Sequence, residues 1–365
     1  DQLAPMTSPT AVVRDGRLHY LELSSALSSM LGTKLLGLNS KLHFAAIGMK
    51  ALSMWRCLGF DSLAGAAPHD TETLQAYANR ALTPELYEYL VNPTEKMLYT
   101  ISGSEASVVD FFWCVKNLLH PKAYCVKGGM DRVVTQLARN FEVSTSTEVL
   151  SATETGDGVD VMLRKASGEE TTERVDFCVI ATPARDVPKI DRGLSAASRQ
   201  YLQTLEYSTL TDLHLRLRER PAEKAVLIMV PDATDPDLAG IVFEHNKGAD
   251  RAPAGKGALS AYFLHRWAQQ MYTLPDEDIY RLGMEKIERV LPGLGKTVEG
   301  YRVQRWDYAA TVSSPGHYKK LAGFMAGLNT QRRVQLAGDY YSLASVNSAV
   351  TSGELAAQRL LRAYG

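Results

Sequence analysis

The residues best placed to do chemistry stand near the C-terminus. In "VQLAGDYYSLASVNSAVTSGELAAQRLL" an apolar run, Val334 to Ala337, stops at Gly338-Asp339, and a helical pattern follows a short polar stretch. Strand, Gly-Asp turn and helix N-terminus, in that order, make a site for a polyol bearing phosphates. The Asp339 carboxylate can accept hydrogen bonds from hydroxyl groups. The first N–H groups of the helix, around Ser345, Val346, Asn347 and Val350, have no partner within the helix and suit an anionic or electron-rich group. An Asp here can equally be an ordinary helix cap, and these residues alone leave both readings open. On the substrate side the candidates are His245, Tyr262, Trp306 and His317, each of a type that also packs well in a core. No Ser-His-Asp or HExxH arrangement competes with them.

Two other signals fail on inspection. "PGLGKT" (Pro292 to Thr297) ends like a phosphate-binding loop, but Val290 stands where the first glycine is needed, and a helix precedes it instead of a strand. It reads as a glycine helix stop. The four cysteines, Cys57, Cys114, Cys125 and Cys178, are far apart and form no CxxC, which argues for scattered reduced thiols and against a zinc site or a disulfide framework.

Around these residues lies an ordinary globular composition: 365 residues, 45% apolar and 22% charged, with a net charge of −1. That length suggests two or three domains, and the balanced charge gives no field for nucleic acid. The start, "DQLAPMTSPT", has no signal-peptide pattern and no initiator Met. Arg14-Asp15-Gly16-Arg17 reads as a hairpin turn. From Ser24 to about Asn117 the pattern is helical, with Thr83 as a cap and Pro84 in the first turn. Within it, Leu21–Leu58 is apolar with interspersed Lys and Arg; its longest charge-free piece, Leu23–Thr33, is too short to span a bilayer. Two readings of that stretch stand: a lid over a hydrophobic substrate, or a peripheral contact with a membrane.

Gly128-Gly129 opens another helix, with Val133, Val134, Leu137 and Phe141 on one face. The period then changes from 3.6 to 2. "EVSTSTEVLSATET", "GVDVMLRKA" and "ETTERVDFCVIATPA" read as three strands, the end of the last being buried on both faces. A second sheet follows in "TDLHLRLRE", "AVLIMVP", "AGIVFEH", "ALSAYFLH" and "TVEGYRVQRW", with a helix at "DEDIYRLGMEKIERVLPGL". Val334–Ala337 has no neighbouring strand in sequence and is expected to rejoin a sheet begun much earlier.

Taken together, "KGGMDRVVTQLAR", "DFCVIATPARDVP", "RWDYAATVSSPGHYKKL" and the closing "VQLAGDYYSLASVNSAVTSGELAAQRLL" resemble the flavin-dependent amine oxidase superfamily. "LVNPTEKMLYTISGSEASV" is similar to the helical subdomain of its protoporphyrinogen oxidase-like branch. The resemblance covers nearly the whole chain. It implies an α/β protein with a Rossmann-type FAD-binding domain, a mixed-sheet substrate domain and a helical subdomain. The expected division is 1–118 helical and substrate-binding, 119–199 FAD-binding, 200–325 substrate-binding and 326–365 FAD-binding again.

By the same resemblance Gly338 and Asp339 meet the ribityl–pyrophosphate region of FAD, and the helix from Val346 and Asn347 faces the flavin's pyrimidine end. Val149 meets the adenine through its backbone, and Ala181 and Thr182 lie beside the ADP part. Family members begin with a βαβ unit carrying GxGxxG, which this sequence lacks, so the chain is expected to be a fragment starting downstream of that unit. Members also commonly carry a Lys near the flavin; "YSTLTDLHLRL" offers Thr211, Asp212 and His214 but no Lys. The implied activity is therefore desaturation of a bulky, partly apolar small molecule by hydride transfer to flavin, in the cytoplasm or at a membrane surface. A flavin amine oxidase and a non-catalytic flavoprotein-like scaffold are the alternatives.

Overall fold

The computed structural model describes residues 2–22, 29, 32–118 and 122–364. Most of Leu23–Thr33 lies outside the described residues. The strands are β1 (Leu3–Pro5), β2 (Thr10–Arg14), β3 (Arg17–Leu21), β4 (Tyr124–Val126), β5 (Thr147–Thr155), β6 (Gly158–Lys165), β7 (Glu170–Val175), β8 (Cys178–Ile180), β9 (Leu210–Leu217), β10 (Leu227–Met229), β11 (Leu238–Phe243), β12 (Gly257–Phe263), β13 (Val298–Trp306) and β14 (Val334–Leu336). The longer helices are α1 (Leu38–Ser53), α2 (Leu74–Ala81), α3 (Asn92–Tyr99), α4 (Val108–Leu118), α5 (Asp131–Ala138), α6 (Ala196–Thr204), α7 (Asp276–Val290), α8 (His317–Ala326) and α9 (Val346–Tyr364). The chain divides into two compact units, each assembled from three separate stretches.

The first unit comprises Asp1–Ser53, Glu72–Leu137 and Tyr207–Ser314. Its centre is a seven-stranded sheet in the order β13-β9-β12-β11-β10-β2-β3, antiparallel except where β10 meets β2. The hairpin between β2 and β3 turns through Asp15 (φ 51°) and Gly16 (φ 70°), as a two-residue turn of this hand requires. Strand β9 shows why the sheet has two different faces. Leu213, Leu215 and Leu217 alternate into the core, where they join Leu259, Ala261, Phe263 and Val303 and pack against Ile279, Met284 and Ile287 of α7. Gly283 lets α7 come close, since a Cβ there would stand 3.1 Å from both Leu213 and Phe263. The intervening residues Asp212, His214 and Arg216 face the other way.

The helical stretch of this unit begins as its caps dictate. Thr83 accepts a hydrogen bond from the Leu86 N–H at 3.2 Å, and Pro84 occupies the first turn. The helix then loosens to a π-turn over Tyr87–Val91 before α3.

The second unit comprises Met54–Thr71, Ala138–Glu206 and Pro315–Gly365. β5, β6 and β7 form an antiparallel three-stranded sheet. β14 rejoins the chain at β8, parallel, with Val334 opposite Cys178 and Leu336 opposite Ile180. One expectation needs correction here. "ETTERVDFCVIATPA" is not one strand: β7 ends at Val175 and pairs with β6, whereas β8 starts at Cys178 and belongs to a different sheet. Nor is β8 covered on both faces, because Val179 is 41% exposed.

The apolar face of α5 departs from expectation in a similar way. Val133, Val134 and Leu137 are exposed, and so is Phe141, which lies beyond the end of the helix at Ala138. Helical spacing fixes which residues share a face and says nothing of what covers it.

Candidate functional site

In the second unit the turns after β8 and β14 stand at the same end of the parallel pair, because the Ala337 N–H donates to the Ile180 carbonyl at 3.0 Å. Ala181 and Thr182 therefore lie beside Gly338 and Asp339 at the carboxyl edge of the sheet, where open α/β sheets take their ligands. Gly338 cannot be replaced without movement: a Cβ would fall 2.1 Å from the Tyr340 ring. Its N–H donates to Ser352 Oγ at 2.8 Å, tying the turn to α9. Asp339 opens a short helical turn, Asp339–Tyr341. Burial raises its carboxyl above the usual range, opposed by hydrogen bonds from its own N–H and that of Tyr340.

Asp339 does not cap α9. Ser345 does, accepting from the Ser348 N–H at 3.1 Å. Val346 at the start of α9 is 60% exposed, and Asn347 is exposed beside it. Thr182 Oγ1 is buried and has no hydrogen-bond partner. An orphaned hydroxyl and a glycine turn closed to any side chain stand at one sheet edge, and with the Asp339 carboxyl they are groups of the kind that bond the phosphates and hydroxyls of a dinucleotide. Val149 lies apart from this edge, on β5, where the strand bulges between Val149 and Ser151. His317 also belongs to this unit, but as a core residue at the start of α8. It is buried against Tyr318, and burial pushes its imidazole down to about 4, so it stays neutral.

The first unit brings two of the four substrate-side candidates together around a residue not among them. Trp306 Nε1 donates to Asp212 Oδ2 at 3.0 Å, and Tyr262 sits directly across from Asp212 in the β12–β9 pairing. Asp212 is 5% exposed, and its other oxygen, Oδ1, has no partner. Burial pushes its carboxyl up to about 7, the Trp306 hydrogen bond holding it back. The Tyr262 phenol is raised by its own burial and by Asp212.

The same face continues through His214, whose Nδ1 meets Ser260 Oγ at 2.9 Å; Ser260 in turn donates to Glu244 at 2.9 Å. A buried carboxyl with one held and one open oxygen can accept a hydrogen bond or a proton from whatever lies against it. His245 stands outside this cluster, with Nδ1 against the Ala258 backbone at 3.1 Å and its ring edge-on to Phe243. The signal for Asp212 was present in "TDLHLRL": an acid at a position alternating with three core leucines.

The "PGLGKT" loop is confirmed as a helix stop. Gly293 takes φ 84°, and the N–H groups of Gly293 and Gly295 are already taken by the Glu288 carboxylate, at 2.5 and 2.6 Å. None of the four cysteines is in a disulfide, and among the described residues no cluster could hold a metal.

A parallel strand pair with a glycine–carboxylate turn, joined in one chain to a mixed sheet with a polar face, is in keeping with an FAD-dependent oxidoreductase, the class that the family match establishes. The chain belongs to the flavin-containing amine oxidoreductase family, whose model matches residues 6–361, and FAD is the cofactor of that family. Among solved structures it is similar to a protoporphyrinogen oxidase-like protein from Exiguobacterium sp. 255-15 (15% identity, 99% of this chain and 82% of that one, TM-score 0.69). It is also similar to cyclohexylamine oxidase from Brevibacterium oxydans IH-35A (13%, 99% and 82%, TM-score 0.73). A third is putrescine oxidase bound to putrescine (13%, 99% and 82%, TM-score 0.75). At these identities the likeness is one of fold. No curated protein matches the chain in sequence.

Proposed function

We propose that this protein oxidises a bulky, partly apolar small molecule at a carbon–nitrogen bond, with Asp212 holding the nitrogen. The observation that carries the reading is the buried Oδ1 of Asp212, which has no hydrogen-bond partner, on the polar face of the seven-stranded sheet. An N–H donor on the substrate is the partner that such an oxygen lacks. Trp306 fixes the orientation of the carboxyl, and the Tyr262 ring supplies an apolar wall with a polar tip. A carboxyl that titrates near neutral pH can also take a proton from a substrate ammonium, leaving the nitrogen neutral.

In the second unit Gly338, Asp339, Ala181, Thr182, Val346 and Asn347 hold the cofactor, with Val149 toward its adenine. FAD, when bound, supplies the hydride acceptor. The test is anaerobic bleaching of the flavin absorption by a panel of cyclic and aryl-substituted amines, in the wild type and in Asp212→Asn. Loss of a hydrogen bond to a charged group, about 1.5–3 kcal/mol, predicts roughly ten- to hundredfold weaker substrate binding in the variant. Equal binding and equal rates of bleaching in both proteins would remove Asp212 from the site.

A further inference from the structure

Beside β14, within the second unit, lies a polar cavity of about 140 Å³. The start of α6, the turn 327–330, the strand itself and α9 wall it in. Part of that wall is already satisfied. Asp191, fully buried, grips Arg332 through both oxygens, at 2.8 and 2.7 Å, and accepts from the Gly193 N–H at 2.8 Å. Gly193 is required there, because a Cβ would collide with Arg332 Nη2. Glu154 approaches the same guanidinium at 3.4 Å, so the charge of Arg332 is balanced within the fold.

Other donors in the wall are not spent. Tyr341 is 4% exposed, and its hydroxyl is buried with no hydrogen-bond partner. Burial pushes the phenol up to about 12, against the opposing charge of Arg359 close by, so at neutral pH it is a donor. Arg359 also lines the cavity and joins none of the ion pairs among the described residues. Ser195 caps α6 by accepting from the Ser198 N–H at 3.1 Å and donates to Ser198 Oγ at 2.9 Å, which leaves the Ser198 hydroxyl hydrogen available.

What this wall lacks is an acceptor. A guanidinium fork offers parallel donors that match two oxygens of one group, which selects an oxyanion. Size narrows the class further. A cavity of ~150 Å³ takes a molecule the size of benzene, so phosphate, sulfate or a short carboxylate fits and a nucleotide does not.

We propose that this cavity binds a small oxyanion of the size of phosphate, held by Arg359, Tyr341 and Ser198. The turn 327–330 enters β14 at its amino end, whereas Gly338 and Asp339 leave at its carboxyl end, so the site is separate from the edge assigned to the cofactor. Tyr341 closes the short turn that Asp339 opens, and an anion here fastens that turn to α6 and α9. The site is independent of the substrate assignment to Asp212.

The test is thermal melting of the full chain, with FAD in excess, as inorganic phosphate is raised, against sodium chloride at equal ionic strength. Tm should rise with phosphate and keep rising with the logarithm of its concentration once the site fills, and chloride should not reproduce the effect. Arg359→Gln should weaken phosphate roughly ten- to hundredfold, and Tyr341→Phe about fivefold. Without phosphate, Tyr341→Phe should melt no lower than the wild type, because the hydroxyl it removes has no partner. Arg362→Gln, on the same helix but outside the cavity, should leave the phosphate response unchanged. A response no larger than that to chloride, or one undiminished in both Arg359→Gln and Tyr341→Phe, overturns the proposal. A response seen only without FAD would put the anion at the cofactor turn and overturn it too.

Discussion

Asp212 carries a prediction that needs no substrate. Its carboxyl moves from an ordinary value of 3.8 to about 7 on folding, because burial penalises the charged form more than the Trp306 hydrogen bond supports it. The native state therefore holds a proton here that the unfolded chain has released. The stability this represents is fully present below about pH 4, and it is lost progressively as pH rises through about 7. A shift of ~3 units is worth ~4 kcal/mol at 1.36 kcal/mol each.

Asp212→Asn keeps the shape and an acceptor for Trp306 Nε1 but cannot ionise. The two proteins should melt alike near pH 4. By about pH 8 the variant should be the more stable by up to ~4 kcal/mol, or roughly 10 °C in Tm for a unit of this size. The Tyr262 phenol across the pair is raised by its burial and stays protonated over this range in both proteins, and the His214 imidazole is lowered by its own burial in both. Melting followed by tryptophan fluorescence across that pH range provides the measurement, and the Trp306 signal should itself titrate in the wild type. Parallel stability curves for the two proteins would show that Asp212 is ionised in the fold, and the reasoning from its burial would fail.

Two further predictions concern other carboxyls. Asp339→Ala should weaken FAD binding by roughly ten- to hundredfold, the cost of a hydrogen bond to a charged group. Because Ser345 rather than Asp339 caps α9, the melting temperature of the apo protein should barely move; unchanged affinity on titrating apo-protein with FAD would take Asp339 out of the cofactor site. Glu95 of α3 is fully buried with neither oxygen hydrogen-bonded, and burial, then the nearby Asp110, raises its carboxyl well above 4.5. Its contribution to stability is thus present in acid and lost as pH rises, so Glu95→Gln should flatten the fall in Tm above about pH 5. A fall as steep as that of the wild type would count against it.

Local pattern made much of this molecule readable. Alternation in "TDLHLRL" predicts a strand with one core face, and β9 has it; the Gly-Asp turn after an apolar run predicts a sheet edge at Gly338, and β14 ends there. What escaped was whatever depends on partners distant in the chain. Trp306 and Asp212 meet only because β13 and β9 pair across 94 residues of sequence, and no local signal reports that register. The apolar run at Cys178 reads as a buried strand, but its burial depended on neighbours, and Val179 is left open. His245 and His317 show a different limit: both are buried with an Nε2 that has no hydrogen-bond partner, and nothing local in the sequence distinguishes a histidine packed in a core from one facing a ligand.

The pairing of β8 with β14 also sets an order of assembly. β13, an edge strand of the seven-stranded sheet, ends at Trp306, and the last stretch of the first unit ends at Ser314, so on the ribosome that unit can close before the chain is finished. The second unit cannot. β8 must wait for about 150 further residues before its parallel partner exists, a long loop closure of the kind that makes folding slow. Asp339 and the start of α9 arrive with that final stretch. The turn proposed to hold the cofactor is thus completed only after that distant strand emerges, and a nascent chain interrupted after Ser314 would carry all of the first unit with β8 still unpaired.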